Sequence, residues 1–168
     1  KRRGHPRRGY NRGRFDGLVH GRGQVAEGWG SMFMADMWGW PTAKVQSPQR
    51  TSAMVEVTKR IAALFAGYKG SAHPIDIYHD VEGRMQGIAD DVIAEHKLAE
   101  KMPHLCVLVC ASAVDAAIHD AFGKANGCPV WDAYGPEFCA NDLSKYLGAP
   151  FKGKYVSEII RKMPAKLP

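Results

Sequence analysis

A chain of 168 residues, 45% hydrophobic and 24% charged, can bury one sizeable core and has the length of one domain. It is too short for a full (β/α)₈ barrel, which needs about 250 residues. The formal charge of +6 is unevenly placed: Lys1, Arg2, Arg3, Arg7, Arg8, Arg12 and Arg14 all precede the first acid, Asp16, and the rest of the chain is nearly neutral.

Gly4, Pro6, Gly9 and Gly13 break any period, so residues 1–14 are read as a basic loop or disordered arm. Such an arm fits a solvated end, a loop that meets an anionic substrate, or an electrostatic contact with nucleic acid. No second basic stripe and no RNA-binding motif accompanies it. Residues 15–21 and 24–29 read as short strands of a hairpin (15–29) turning at Gly21-Arg22-Gly23. Residues 31–41, SMFMADMWGWP, then form an apolar loop. A loop with Phe33, Met34, Met37, Trp38 and Trp40 should cover something or plug the domain's own core.

Three helices follow. Ser47 as N-cap with Pro48 opens a helix over about 48–68, with Met54, Val57, Ile61, Leu64, Phe65 and Tyr68 at helical spacing and Gly70 closing it. His73-Pro74 opens a second, over about 74–99, carrying Ile75, Tyr78, Val81, Met85, Ile88 and Val92. Gly83 and Gly87 inside it predict close packing or a weakened helix. Pro103 starts the third, over 103–126, where Ala111, Ala113, Ala117 and Ala121 allow neighbours to approach closely. Residues 141–168, rich in Pro, Gly and Lys, read as a linker with one short amphipathic turn at 155–162. The fold class is α+β: a short antiparallel meander followed by a bundle of three to four helices, with the domain body at 15–140.

Residues 112–134 read SAVDAAIHDAFGKANGCPVWDAY. Ser112, Ala113, Val114, Asp115, Ala117, Asp120, Gly123, Lys124, Gly127, Pro129 and Val130 fit the run S-A-[IV]-D-x-A-x-x-D-x-x-G-K-x-x-G-x-P-[VI]. This resembles the last long helix of the amino-terminal capping domain in the enolase superfamily, in the mandelate racemase and muconate lactonizing enzyme branch. The phrase Glu27-Gly28-Trp29-Gly30-Ser31 is similar to that family's G-W-G-E, with Ser31 where the acid often stands.

The resemblance implies a Mg²⁺-dependent lyase or isomerase that abstracts the α-proton of a carboxylic acid, perhaps a sugar acid. It places the base and the metal ligands in a barrel outside these residues, so none is assigned here. The chain alone is expected to bind no Mg²⁺ and to be inactive. The partners implied are the barrel of the parent chain, a small carboxylic-acid substrate and further copies in a homo-oligomer. By position, residues 2–14 and 31–40 correspond to two loops that reach over the barrel mouth. Tyr10, Arg12 and Arg14 would hold the substrate, and Phe33, Met34, Trp38 and Trp40 would form an apolar wall. Arginine suits a carboxylate because its donors form a planar fork. A stand-alone interaction module, its basic arm on nucleic acid or an acidic partner, is the alternative.

Lys152-x-Lys154 imitates the family's K-x-K base motif but precedes the place of the first barrel strand. Asp115 and Asp120, five apart on a helix, do not converge on one octahedron and are read as structural, bonded to backbone of neighbouring segments. His119 is read as packing against a neighbour. His73 and His79 share no helical face. Cys106, Cys110, Cys128 and Cys139 lack metal-type CxxC spacing and read as buried free thiols in a reducing, cytoplasmic setting. No signal peptide opens the chain, and no unbroken apolar run reaches about 18 residues.

Overall fold

The computed structural model describes residues 25–160 in full and the backbone of residues 11–13. Tyr10, Arg14 and the predicted strand at 15–21 lie outside the described residues. The described chain is mostly helical, with one antiparallel pair of short strands.

Packing is organised around α5 (His104–Asn126). Its apolar residues surround most of its circumference, and Cys106, Val107, Cys110 and Ala111 are fully buried. The helix stops where predicted. Gly127 adopts φ 65°, which costs glycine no Cβ clash. Its N–H bonds the Lys124 carbonyl at 3.2 Å, and that of Cys128 bonds the Gly123 carbonyl at 3.1 Å, the paired closure of a Schellman end. By length and composition α5 is apolar enough to cross a membrane, although no unbroken apolar run in it reaches about 18 residues; 61% of that window is buried within the protein, as in a core helix.

Helix α2 (Ser47–Ala66) crosses α5. The buried Thr58 hydroxyl lies 2.9 Å from the carbonyl of Met54 and 3.2 Å from that of Cys110, so this buried polar group is satisfied. The N-cap is Gln46, one residue before the predicted Ser47, and its N–H is accepted by the Gln49 side chain at 3.1 Å. The helix ends at Ala66 with Gly67 as C-cap, three residues before Gly70.

The predicted helix over 74–99 is two helices, α3 (Pro74–Glu82) and α4 (Met85–Glu95). They break at Gly83 and Arg84. A Cβ at Gly83 or Gly87 would meet nothing within 4 Å, so neither glycine serves close packing. Their effect is the loss of helix propensity. Helix α3 opens at His73-Pro74 as predicted, and His73 caps it: its Nδ1 accepts the Ile75 N–H at 3.2 Å.

Strands β1 (Asn11–Gly13) and β2 (Gly28–Gly30) pair antiparallel, with Arg12 opposite Trp29. Residues 11–13 therefore belong to the sheet and not to a loop ending at residue 14. Glycine was read there as a breaker. In β2 it permits close approach: a Cβ at Gly28 would stand 1.9 Å from the Ala117 carbonyl oxygen, and one at Gly30 1.8 Å from that of Ala113. Alternate strand residues thus rest on the alanine stripe of α5.

The tail is not a linker over its described part. Residues 141–160 fold back on the domain. Leu143 is buried, and its N–H bonds the Lys154 carbonyl at 2.8 Å. The Ser157 N–H reaches the Tyr134 carbonyl at 3.2 Å. Helix α6 (Ser144–Leu147) carries Lys145 and Tyr146 onto Asp76 of α3. The predicted turn at 155–162 is a 3₁₀ turn, Val156–Glu158. Lys152 and Lys154 lie in the loop before it.

Candidate functional site

Two regions carry chemistry beyond packing. The first is the apolar stretch at 31–41, which contains a single helical turn, α1 (Asp36–Gly39). A buried arginine fixes it. Arg50, 6% exposed, donates to Asp36 Oδ2 from Nε at 3.0 Å and from Nη2 at 2.7 Å, and its Nη1 donates to the Thr42 carbonyl at 3.0 Å. Burial opposes the Asp36 charge, but hydrogen bonds from Ser47 and Arg50 outweigh it and hold its pKa below the ordinary value. The Thr42 hydroxyl in turn donates to Glu100.

This clamp sorts the predicted wall residues. Phe33 and Trp38 stand out, 76% and 63% exposed, together with Met37. Met34 is half-buried and packs on the core. Trp40 is a correction: at 1% exposed it is among the largest fully buried side chains and belongs to the domain's own core. The stretch is thus part core plug and part exposed apolar surface. Arg12 is described by its backbone alone, in β1, and Tyr10 and Arg14 fall outside the described residues.

The second region is a cleft of about 860 Å³ between α3, the outer face of α5 and the turn at 127–134. Ile75 and Tyr78 of α3 form one side, and Trp131 and Tyr134 the other. On its floor, Asp115 and His119 are one helical turn apart. His119 Nδ1 lies 2.9 Å from the Asp115 carbonyl and 3.3 Å from its Oδ1. Both neighbours are acceptors, so Nδ1 carries a hydrogen in the neutral and charged forms alike. Burial disfavours the imidazolium, but the Asp115 carboxylate and carbonyl outweigh that and raise the pKa above its ordinary value. The His119 ring stacks near Tyr134, with centroids 6.0 Å apart and planes at 26°, and Tyr134 stacks near Trp131 at 6.4 Å and 28°. Burial, with Asp115 nearby, pushes the Tyr134 phenol up to about 12.

Asp120 and Lys124 complete the floor. Asp120 Oδ2 accepts the Trp29 N–H at 2.7 Å and Lys124 Nζ at 2.6 Å, and Lys124 also donates to the Glu27 carbonyl at 3.2 Å. Asp120 is therefore bonded to the backbone of a neighbouring segment, as expected from the sequence. Asp115 is bonded to a side chain instead. The two carboxylates face different partners and do not converge. Among the described residues no group of three or more His, Cys, Asp or Glu is gathered that could hold a metal ion.

A smaller cavity of about 300 Å³ borders Asp76. Asp76, 2% exposed, accepts on Oδ1 from Asn141 at 2.8 Å, Lys145 at 2.8 Å and Tyr146 at 2.6 Å. Burial works against its charge, yet these donors hold its pKa below the ordinary value. All four cysteines are free; Cys106, Cys110 and Cys139 are buried and Cys128 is half-buried.

Sequence reasoning missed the ring wall of Trp131, Tyr134 and Tyr78. The available signal was the Asp115-x-x-x-His119 spacing, which puts both side chains on one helical face. Comparison with family models, curated proteins and solved structures finds no match to this chain.

Proposed function

We propose that these residues form the capping domain of an enolase-superfamily enzyme of the mandelate racemase and muconate lactonizing branch, a lyase or isomerase acting on a carboxylic acid such as a sugar acid. The support is how the residues of the resemblance are used. Ala113 and Ala117 seat the Gly-Trp-Gly strand, Asp120 and Lys124 bind its backbone, and Gly127 ends the helix. Motif positions with separate structural tasks in one small region are a stronger match than letters alone.

In this reading the exposed Phe33, Met37 and Trp38 are the apolar face presented to a reaction chamber, and the Arg50–Asp36 clamp keeps them turned outward. Their work is to exclude water and shape the substrate space. The base and the Mg²⁺ ligands would come from a barrel in the parent polypeptide, which would act as a homo-oligomer in the cytoplasm.

The test is α-proton exchange. The full-length parent polypeptide, incubated with Mg²⁺ and a panel of aldonic acids in D₂O, should incorporate deuterium next to the carboxylate of at least one of them. The 168-residue chain should incorporate none. Turnover by the short chain alone would sink the reading, as would an inert full-length protein. Trp38→Ala in the active protein should lower kcat/KM about tenfold without unfolding it.

A further inference from the structure

We propose that the cleft between α3, α5 and the turn at 127–134 binds a small quaternary ammonium ion, its charge facing the Asp115 carboxylate and its methyl groups against the rings of Tyr78, Trp131 and Tyr134. This site lies on a different part of the fold from the apolar loop and does not depend on the capping reading.

The cleft, of about 860 Å³ and mostly apolar, has the size of a small-molecule site. The sign of its ligand follows from its charged side chains. Two carboxylates, Asp115 and Asp120, border it against one ammonium, Lys124. Lys124 Nζ lies 2.6 Å from Asp120 Oδ2, so those two charges cancel each other. Asp115 is left. Its side chain is 37% exposed, its Oδ1 is 3.3 Å from His119 Nδ1, and among the described residues no hydrogen bond reaches its Oδ2. Its charge is felt on both sides of the cleft. Burial first, and the Asp115 charge second, raise the phenols of Tyr78 on α3 and Tyr134 on the turn above their ordinary values. A negative group therefore stands on the floor between aromatic walls, where a cation is favoured and an anion is repelled.

The walls select the kind of cation. Trp131 is 54% exposed although it borders an apolar groove, and its plane lies 28° from that of Tyr134; Tyr78 lines the opposite side. Aromatic faces attract cations, tryptophan most strongly. A primary ammonium brings three N–H donors that each need an acceptor, and a mostly apolar lining supplies few. A nitrogen covered by methyl groups carries the charge with no donor to satisfy and lays apolar surface on the rings. Among the described lining residues His119 is the competitor. An imidazolium there would share the Asp115 carboxylate with the ligand.

The probe is choline, titrated by calorimetry into the full-length protein at fixed ionic strength. Its neutral carbon isostere 3,3-dimethylbutanol and the primary amine ethanolamine serve as controls. We expect saturable binding of choline and about tenfold weaker binding, or none, of both controls. Asp115→Asn and Trp131→Ala should each weaken choline by about tenfold. His119→Gln removes the competing charge and should bind choline as tightly as the parent or more tightly. No saturable binding of choline overturns the proposal. So does a control that binds as tightly, an Asp115→Asn protein that binds as well as the parent, or a folded His119→Gln protein that loses the ligand. Should Asp115→Asn fail to fold by circular dichroism, the three ligands on the native protein and the Trp131→Ala variant decide. Phosphatidylcholine vesicles and a trimethyllysine peptide should bind no more tightly than choline; tighter binding by either would mean that the ammonium arrives on a larger molecule, and the small-ligand assignment fails. Trp38→Ala separates this site from the apolar loop: if it abolishes binding while Trp131→Ala does not, the ligand sits at the loop and the proposal fails.

Discussion

The carboxylate of Asp120 accepts the backbone N–H of Trp29 at 2.7 Å, joining two residues 91 positions apart. A strand that lies flat on a helix has a row of backbone donors with no partner on the helix side. Asp120 answers one of them, and Lys124 answers the neighbouring Glu27 carbonyl. Asp120→Ala therefore removes a charged acceptor from that N–H. Because the pair is partly exposed, we expect a loss of about 1–2 kcal/mol in urea-unfolding free energy. Lys124→Met should cost less, since its ammonium is half in solvent.

Glycines should split into two classes by the space around them. Gly28→Ala and Gly30→Ala drive a carbon into backbone atoms of α5, which cannot rotate away. Each should cost about 3 kcal/mol or more, or displace the strand. Gly87→Ala, inside α4 with nothing within 4 Å of the new carbon, should stabilise by about 0.5–1 kcal/mol. Thermal midpoints of the three variants check both signs in one experiment.

Stability should fall on mild acidification because of His73. Burial, with the nearby His119 adding to it, lowers its pKa from 6.5 to about 4. The unfolded chain takes up a proton near pH 6.5 that the native residue takes up only near pH 4. Its contribution is thus complete above pH 6.5 and is lost as pH falls toward 4, amounting to about 3 kcal/mol. His119 has the opposite sign: its raised pKa gives a contribution present below pH 6.5 that is lost as pH rises through the folded value. His73→Asn keeps a side chain able to cap α3 and removes the titration. Urea unfolding of that variant should lose most of the slope between pH 6.5 and 5.

The two tryptophans flanking Gly39 should behave in opposite ways. Trp40→Ala opens a hole in the core and should cost about 3–5 kcal/mol. Trp38→Ala, on the exposed side of the clamp, should change stability by less than about 0.5 kcal/mol. Equilibrium unfolding of both shows whether the loop divides as described.

Asp76 anchors the returning tail to α3. Asp76→Ala leaves the Tyr146 hydroxyl without its acceptor and the Lys145 ammonium with only the more distant Asp80 Oδ1 at 3.4 Å, and should cost about 3 kcal/mol. Proteolysis of that variant should begin in residues 141–160, which would be protected in the parent.

How much of this was legible in the sequence follows from the range of the interactions. The ends of α5 and the cap of α3 were readable because Gly127, His73 and Pro74 act within one turn. The alanine stripe announced a close neighbour, and β2 is that neighbour. The split of the second helix was half legible: Gly83 and Gly87 flagged weakness, but propensity alone did not decide between a packed helix and a broken one. The division of the apolar loop was hidden, because Arg50 determines which tryptophan turns inward and its partner Asp36 is 14 residues away. The fold-back of residues 141–160 was hidden for the same reason: Asp76 lies 65 or more residues from Asn141, Lys145 and Tyr146.

The contact of Gly28 and Gly30 with the carbonyls of α5 also constrains inheritance. Every missense change reachable by a single base from a glycine codon adds a side chain, and the two sites tolerate none. A saturation library selected for folded protein should return both codons almost unaltered, while Gly83 and Gly87 drift freely beside them.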